Sequence, residues 1–186
     1  MYAKIIADSR FHDVLLACDR DLASERQRQC CASCGARLDV ANYKRKPRGR
    51  PLTLGPEHDQ RFSFCCRRDG CRGRATPPSL RFLGRRVYVA AIVVLIAILH
   101  SGASPARIER LTAVIPVPPR TIARWRRGWR TTFTTTPFWQ AARARFLPPL
   151  DHARLPASAL ERFAGDEREH LLALLGYIAP LTGSLR

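Results

Sequence analysis

The sequence predicts a mainly α-helical protein that carries one small β element, and three observations lead there. Helical patterns of apolar residues occupy residues 1–29, 84–133 and much of 137–186. Between the first two, residues 30–82 lose every helical period and are dominated by Cys, Gly, Pro and Arg. Six of the seven cysteines fall in that stretch, in two groups. A chain of 186 residues has room for one domain with a sizeable core or for two small modules that lean on each other, and the abrupt change of composition favours the second.

The first element, residues 1–29, reads as an amphipathic helical arm with Val14, Leu15, Leu16, Cys18 and Leu22 on overlapping faces. Its start, MYAKIIADSRFHD, lacks the basic and apolar blocks of a secretory signal, so a cytoplasmic, reducing location is expected. In such a compartment seven cysteines point to metal ligation, not to disulfides.

Residues 30–82 read as a zinc ribbon. Cys31 and Cys34 form a CxxC followed at once by Gly35, and Cys66 and Cys71 form a second pair with Gly70 beside the later cysteine. Two thiolates on each tight turn would close a tetrahedral structural Zn2+ site with no open position for catalysis. Each pair contains a doublet, so Cys30 competes with Cys31 and Cys65 with Cys66, while His58 is a further candidate. Zinc ligation also supplies folding free energy, on the order of 10 kcal/mol, to a stretch with little apolar area of its own.

Residues 83–136 read as a trihelical helix-turn-helix domain. Its first helix holds the run VYVAAIVVLIAIL, residues 87–99, which is shorter than the ~18 to 20 residues that span a bilayer and is expected to be buried in protein. It stops at Ser101-Gly102, and the second helix starts at Ser104-Pro105, an N-cap followed by proline at the first helical position. After the Pro116-Val117-Pro118 break, the third helix begins near Pro119 and continues through RTIARWRRGWR. At 100° per residue it sets Ile122, Trp125 and Trp129 on one face and Arg120, Arg124 and Arg127 on the other, with Arg126 and Arg130 on the flanks. A half-core, half-cationic helix of this kind suits the DNA major groove, where arginine reads guanine O6 and N7. Residues 137–186 read as further C-terminal helices, and Asp166 with Glu169 resembles a capping box opening the last of them.

Charge singles out the partner class. The net charge is +17, of which residues 41–86 carry +10 (13 Lys/Arg against 3 Asp/Glu) and residues 87–130 carry +6 (7 against 1). Such a concentrated basic stretch is the footprint of a nucleic-acid binder, with double-stranded DNA as the expected partner and no membrane. Arg67, Arg68, Arg72 and Arg74 surround the second cysteine pair and are expected to contact the backbone. So is the segment KRKPRGRP, with Lys44, Arg45, Lys46, Arg48 and Arg50, whose PRGRP core matches the minor-groove Arg-Gly-Arg of AT-hooks. The ribbon and the third helix are expected to share one basic face, and the apolar run at 87–99 makes a homo-oligomer a further expected partner.

A CxxC and CxxxxC ribbon followed by a helix-turn-helix ending in TIARWRRGW resembles the N-terminal DNA-binding part of bacterial insertion-sequence transposases. More closely, FCCRRDGCRGRATPPSLRFLGRRVYV and PFWQAARARFLPP are similar to an uncharacterised bacterial mobile-element-associated family, over about residues 30–150. The resemblance implies binding to DNA ends or regulatory sites, with a transposase or other mobile-element protein as partner, and it implies no catalysis. A DDE centre needs three metal-binding carboxylates on a sheet, yet beyond residue 136 only Asp151, Glu161, Asp166, Glu167 and Glu169 remain, in helix-like sequence. No HExxH, GxxxxGK[ST] or GxSxG occurs. The competing expectations are an interaction subunit that binds RNA or a transposase, and a small zinc-stabilised nuclease using His58 as base.

Overall fold

A computed structural model of the chain describes residues 2–45, 47–83, 88–91, 93–94 and 117–183. Helix α1 (Tyr2–Ala7) and helix α2 (Ser9–Arg28) are parted by Asp8, whose extended backbone and side-chain oxygen cap α2 through the Arg10 amide at 3.0 Å. Helix α2 ends where Gln29 is followed by Cys30 at φ 58, a left-handed residue that closes the helix as glycine more often does. The expected helical arm is therefore present, but it does not stand apart from the rest. Phe11, Leu15, Leu16 and Ala23 of α2 are buried, and Ala23 packs into one apolar cluster with Cys31, Leu38, Phe64, Cys66 and Ala75.

The β element is antiparallel throughout. Strands β1 (Leu38–Val40), β4 (Phe64–Cys66) and β5 (Arg74–Ala75) form a sheet in the order β1-β4-β5, with Leu38 opposite Cys66 and Phe64 opposite Ala75. Strands β2 (Tyr43–Lys44) and β3 (Gln60–Arg61) pair separately. Strands of two or three residues bury little, and a polar network ties the segments around them together.

That network is centred on Asp19 and Arg81, both buried. Asp19 accepts from the Ser79 hydroxyl at 2.6 Å, the Leu80 amide at 2.6 Å and Arg81 Nε at 2.8 Å. Arg81 also donates to the carbonyls of His58 at 3.0 Å and Gln60 at 2.9 Å, and it lies over the rings of Phe62 and Phe82. Burial lowers the Arg81 pKa and the neighbouring Asp19 carboxylate works against that, so the cation is held by an anion in a dry setting. Arg61, also buried, donates to the Pro77 carbonyl at 2.5 Å and to the Thr182 carbonyl at 3.0 Å. Thr182 in turn accepts from the Ser79 amide at 2.7 Å, so the end of the described chain is fastened to the ribbon.

The chain divides into two compact units, Ile6–Ala90 with Leu175–Arg186, and Met1–Ile5 with Ala91–Leu174. In the second, helix α3 (Pro119–Arg127) starts on proline and buries Ile122 and Trp125. The sequence predicts a regular helix on through Arg130. Instead Gly128–Thr132 widens into a π turn, in which the Phe133 amide bonds the Gly128 carbonyl, and Phe133–Thr135 tightens to 3-10 geometry. The cause is aromatic spacing. Trp125, Trp129 and Phe133 recur every four residues, so in a helix of 3.6 residues per turn they drift around the axis. A wider turn cancels that drift, and all three side chains end up buried. Trp129 meets Phe133 at 4.9 Å and Phe133 meets Trp139 at 5.0 Å between ring centroids. The threonines between them bond back to the preceding turn: Thr131 to the Arg127 carbonyl at 2.8 Å and Thr134 to the Arg130 carbonyl at 2.9 Å.

Helix α4 (Pro137–Ala142) is capped by Thr136 through the Trp139 amide at 3.1 Å, and helix α5 (Ala157–Leu160) is a single turn. Helix α6 (Glu167–Ile178) opens on the expected capping box, with Glu169 N–H donating to Asp166 at 2.9 Å and Asp166 N–H donating to Glu169 at 2.8 Å. The first two helices of the expected trihelical domain lie almost wholly outside the described residues; Ala90, Ala91, Val93 and Val94 are helical and buried. Among the described residues no helix is long and apolar enough to cross a membrane.

Replacing Asp19 by Ala strands the Arg81 guanidinium in the interior and is expected to destabilise the fold by about 3 to 5 kcal/mol in a denaturant melt. The exposed Arg67–Asp39 pair is the control, and Asp39→Ala is expected to change stability by no more than about 1 kcal/mol.

Candidate metal centre

Two turns bring four cysteines together. The first follows Cys31, where the Cys31 amide bonds the Ala36 carbonyl at 2.8 Å and the Gly35 amide bonds the Cys31 carbonyl at 2.8 Å. Gly35 takes φ +69 there, a conformation that glycine adopts without strain. The second turn leaves β4 at Cys66 and returns through Gly70 at φ +80, with the Cys66 amide bonded to the Gly73 carbonyl at 2.8 Å and the Cys71 amide to the Arg68 carbonyl at 3.2 Å. Antiparallel pairing of β1 with β4 then stacks one turn on the other.

The sulfurs of Cys31, Cys34, Cys66 and Cys71 all lie within 4.8 Å of one another. Cys31 Sγ is 3.8 Å from Cys71 Sγ, and Cys34 Sγ is 3.4 Å from Cys66 Sγ. A tetrahedron of thiolates with metal–sulfur bonds of about 2.3 Å has edges of about 3.8 Å, so this cluster can hold one metal ion. Backbone amides already point at the sulfurs. The Arg68 amide donates to Cys66 Sγ at 3.4 Å, and the Ser33 amide is the main cause that holds the Cys31 thiol down at about 6. Burial pushes the Cys66 thiol the other way, up to about 12.

The geometry also resolves the doublets. The pleat of β4 sends Phe64 and Cys66 to the core and Cys65 to the opposite face, where its sulfur meets the Arg72 carbonyl at 3.7 Å. Cys30 is the left-handed residue after α2, and its sulfur turns back to the Arg28 carbonyl at 3.6 Å. His58 lies apart from the cluster, buried, with Nε2 3.2 Å from Asp13 and 3.6 Å from Glu57. The cavity it lines with His12 and Arg81 measures about 10 Å³, room for one water and no substrate. Burial lowers the His12 pKa, and His12 Nε2 lies 2.8 Å from the Ile6 carbonyl.

The expected nucleic-acid contacts are distributed as follows. Arg67, Arg68, Arg72 and Arg74 are all exposed around the second turn, with Arg67 Nε 3.3 Å from Asp39. Lys44 and Arg48 are exposed, Arg45 stands over the Phe82 ring at 5.7 Å, and Lys46 lies outside the described residues. Arg50 turns inward. Its guanidinium grips Asp59 at 2.8 and 3.1 Å and donates to the Leu54 carbonyl at 2.7 Å, so it braces its own loop and is not free to enter a groove beside Arg48. On α3, Arg120, Arg124 and Arg127 are exposed on the side away from Ile122 and Trp125, Arg130 is exposed on the π turn, and Arg126 is half-buried. Asp13, Asp19 and Arg81 escape sequence reasoning, because isolated charges in an Arg-rich chain carry no spacing signal.

One metal ion per chain is expected by native mass spectrometry, lost together with the cooperative melt of the ribbon on Cys34→Ser or Cys66→Ser. Cys30→Ser and Cys65→Ser are expected to keep the ion.

Comparison of this chain with protein-family models, with curated proteins and with solved structures gives no match.

Proposed function

We propose that this chain is a non-enzymatic DNA-binding protein, organised by one Zn2+ ion and acting as an accessory or regulatory factor of a mobile element. The observation that carries the reading is the four-cysteine cluster rimmed by exposed arginines. A closed set of four thiolates suits Zn2+ and leaves no position for a substrate, which fits a structural role. Fixed in this way, Arg67, Arg68, Arg72 and Arg74 present guanidinium groups to a polyanion with little further ordering cost. The mobile-element setting rests on the sequence resemblance over residues 30–150.

Helix α3 supports the same partner independently. Arg120, Arg124 and Arg127 follow one another at four and three residues, one stripe along a helix whose other side is pinned by Ile122 and Trp125. In a major groove these three would read base edges, and the ribbon arginines would hold phosphates. Trp125 and Trp129 are buried and belong to the core, so they take no part in base stacking.

Two sets of variants separate these roles in gel shifts at two salt concentrations. Arg120→Ala, Arg124→Ala and Arg127→Ala are each expected to cost about 1 to 3 kcal/mol on the preferred sequence and to flatten the preference. Arg67→Ala, Arg68→Ala, Arg72→Ala and Arg74→Ala are expected to weaken all duplexes alike and to reduce the salt slope by about 0.9 per lost phosphate contact. Preference for hairpin RNA over duplex DNA would overturn the reading in favour of an RNA-binding interaction subunit. Nicking of supercoiled plasmid with Mg2+ that is lost on His58→Ala would overturn it in favour of a nuclease.

A further inference from the structure

Beside the cysteine cluster, between the last turns of α2 and strand β1, lies a groove of about 480 Å³ lined by Ser24, Gln27, Arg28, Cys30, Arg37 and Leu38. Two arginines, a glutamine, a serine and a cysteine are among its six lining residues, and none of the six is acidic. Its walls are tied together, because Gln27 Nε2 donates to the Leu38 carbonyl at 3.1 Å. Its floor is fixed by the metal centre's own framework: Leu38 pairs with Cys66, and Cys30 directly precedes Cys31.

We infer that this groove seats a run of phosphodiester backbone, so that Arg28 and Arg37 extend the DNA-binding surface of the ribbon onto α2. The inference rests on the DNA-binding reading and adds to it a contact that the sequence does not indicate. Arg37 is exposed and has no ion-pair partner among the described residues. The Arg67 amide donates to the Arg37 carbonyl at 3.0 Å, which continues the β1–β4 ladder and sets Arg37 beside an arginine already assigned to phosphate. Arg28 pairs with Glu25, but both side chains are more than half exposed, and a pair so wet yields readily to a phosphate. The volume is that of a site for several linked groups and not for a lone anion.

The left-handed backbone at Cys30 is consistent with this use. A non-glycine residue at φ 58 persists only where its surroundings hold it. Here Arg26 Nη1 donates to the Cys30 carbonyl at 2.9 Å and the Cys30 amide bonds the Gln27 carbonyl at 3.2 Å. The result is a half-exposed thiol on the groove wall. That thiol is a reporter of occupancy.

The test uses the full zinc-loaded chain and a duplex that it retains, with iodoacetamide alkylation read peptide by peptide. Saturating duplex is expected to slow Cys30 alkylation at least fivefold while leaving Cys18, within α2, unchanged. Inorganic phosphate at the same phosphate concentration is expected to give no protection. In parallel, Arg37→Ser and Arg28→Ser are each expected to lower the salt slope of duplex binding by about 0.9. A duplex that binds and leaves Cys30 as reactive as before, or a slope unchanged in both variants, overturns the groove while leaving the DNA-binding reading standing. Protection by phosphate alone overturns the backbone assignment. A wild-type chain that retains no duplex overturns both readings together.

Discussion

Everything in the ribbon depends on bringing four sulfurs to tetrahedral separation. Strands of two and three residues cannot hold a register by hydrogen bonding alone, and the apolar cluster under them is small. The register that sets Leu38 opposite Cys66 is also the one that brings the sulfurs of the two turns together. The sulfurs then belong to both the core and the centre, since Cys31 and Cys66 are buried in the same cluster as Phe64. The same four side chains pack against the apolar cluster and could together hold a metal ion.

The second constraint is how the chain handles its excess of positive charge. Not all of the 32 lysines and arginines face water. Arg61 and Arg81 are interior, held by carbonyls and, for Arg81, by Asp19. Arg50 is committed to Asp59. These three act as internal ties that replace apolar burial in a segment rich in proline and glycine. The arginines at 67, 68, 72 and 74, and those at 120, 124, 127 and 130, stay outside. The surface available to a polyanion is therefore smaller and more sharply placed than the net charge suggests.

The sequence makes some of this legible and hides the rest for physical reasons. The four cysteines can be read because ligand spacing and an adjoining glycine are local, and the capping box of α6 can be read for the same reason. The choice within each doublet cannot, since it depends on strand pleating for Cys65 and on a left-handed helix stop for Cys30. The aromatic face of α3 is visible as a period, whereas the π turn that follows is not, because it arises from three rings competing for one side of the helix. The Asp19–Arg81 network joins residues 62 positions apart and leaves no pattern in either neighbourhood. Arg50 matches a short motif in composition, yet a single acidic residue nine positions away redirects it.

The fastening of Thr182 to Ser79 and Arg61 has a temporal side. During synthesis the cysteines, the strands and the interior arginines all leave the ribosome well before residue 182 does. Until that late segment arrives, the Arg61 guanidinium lacks one of its two carbonyl partners and the Ser79 amide lacks its hydroxyl. The latch at Thr182 therefore engages only after a hundred or so further residues have emerged, later than the strands and cysteines it fastens.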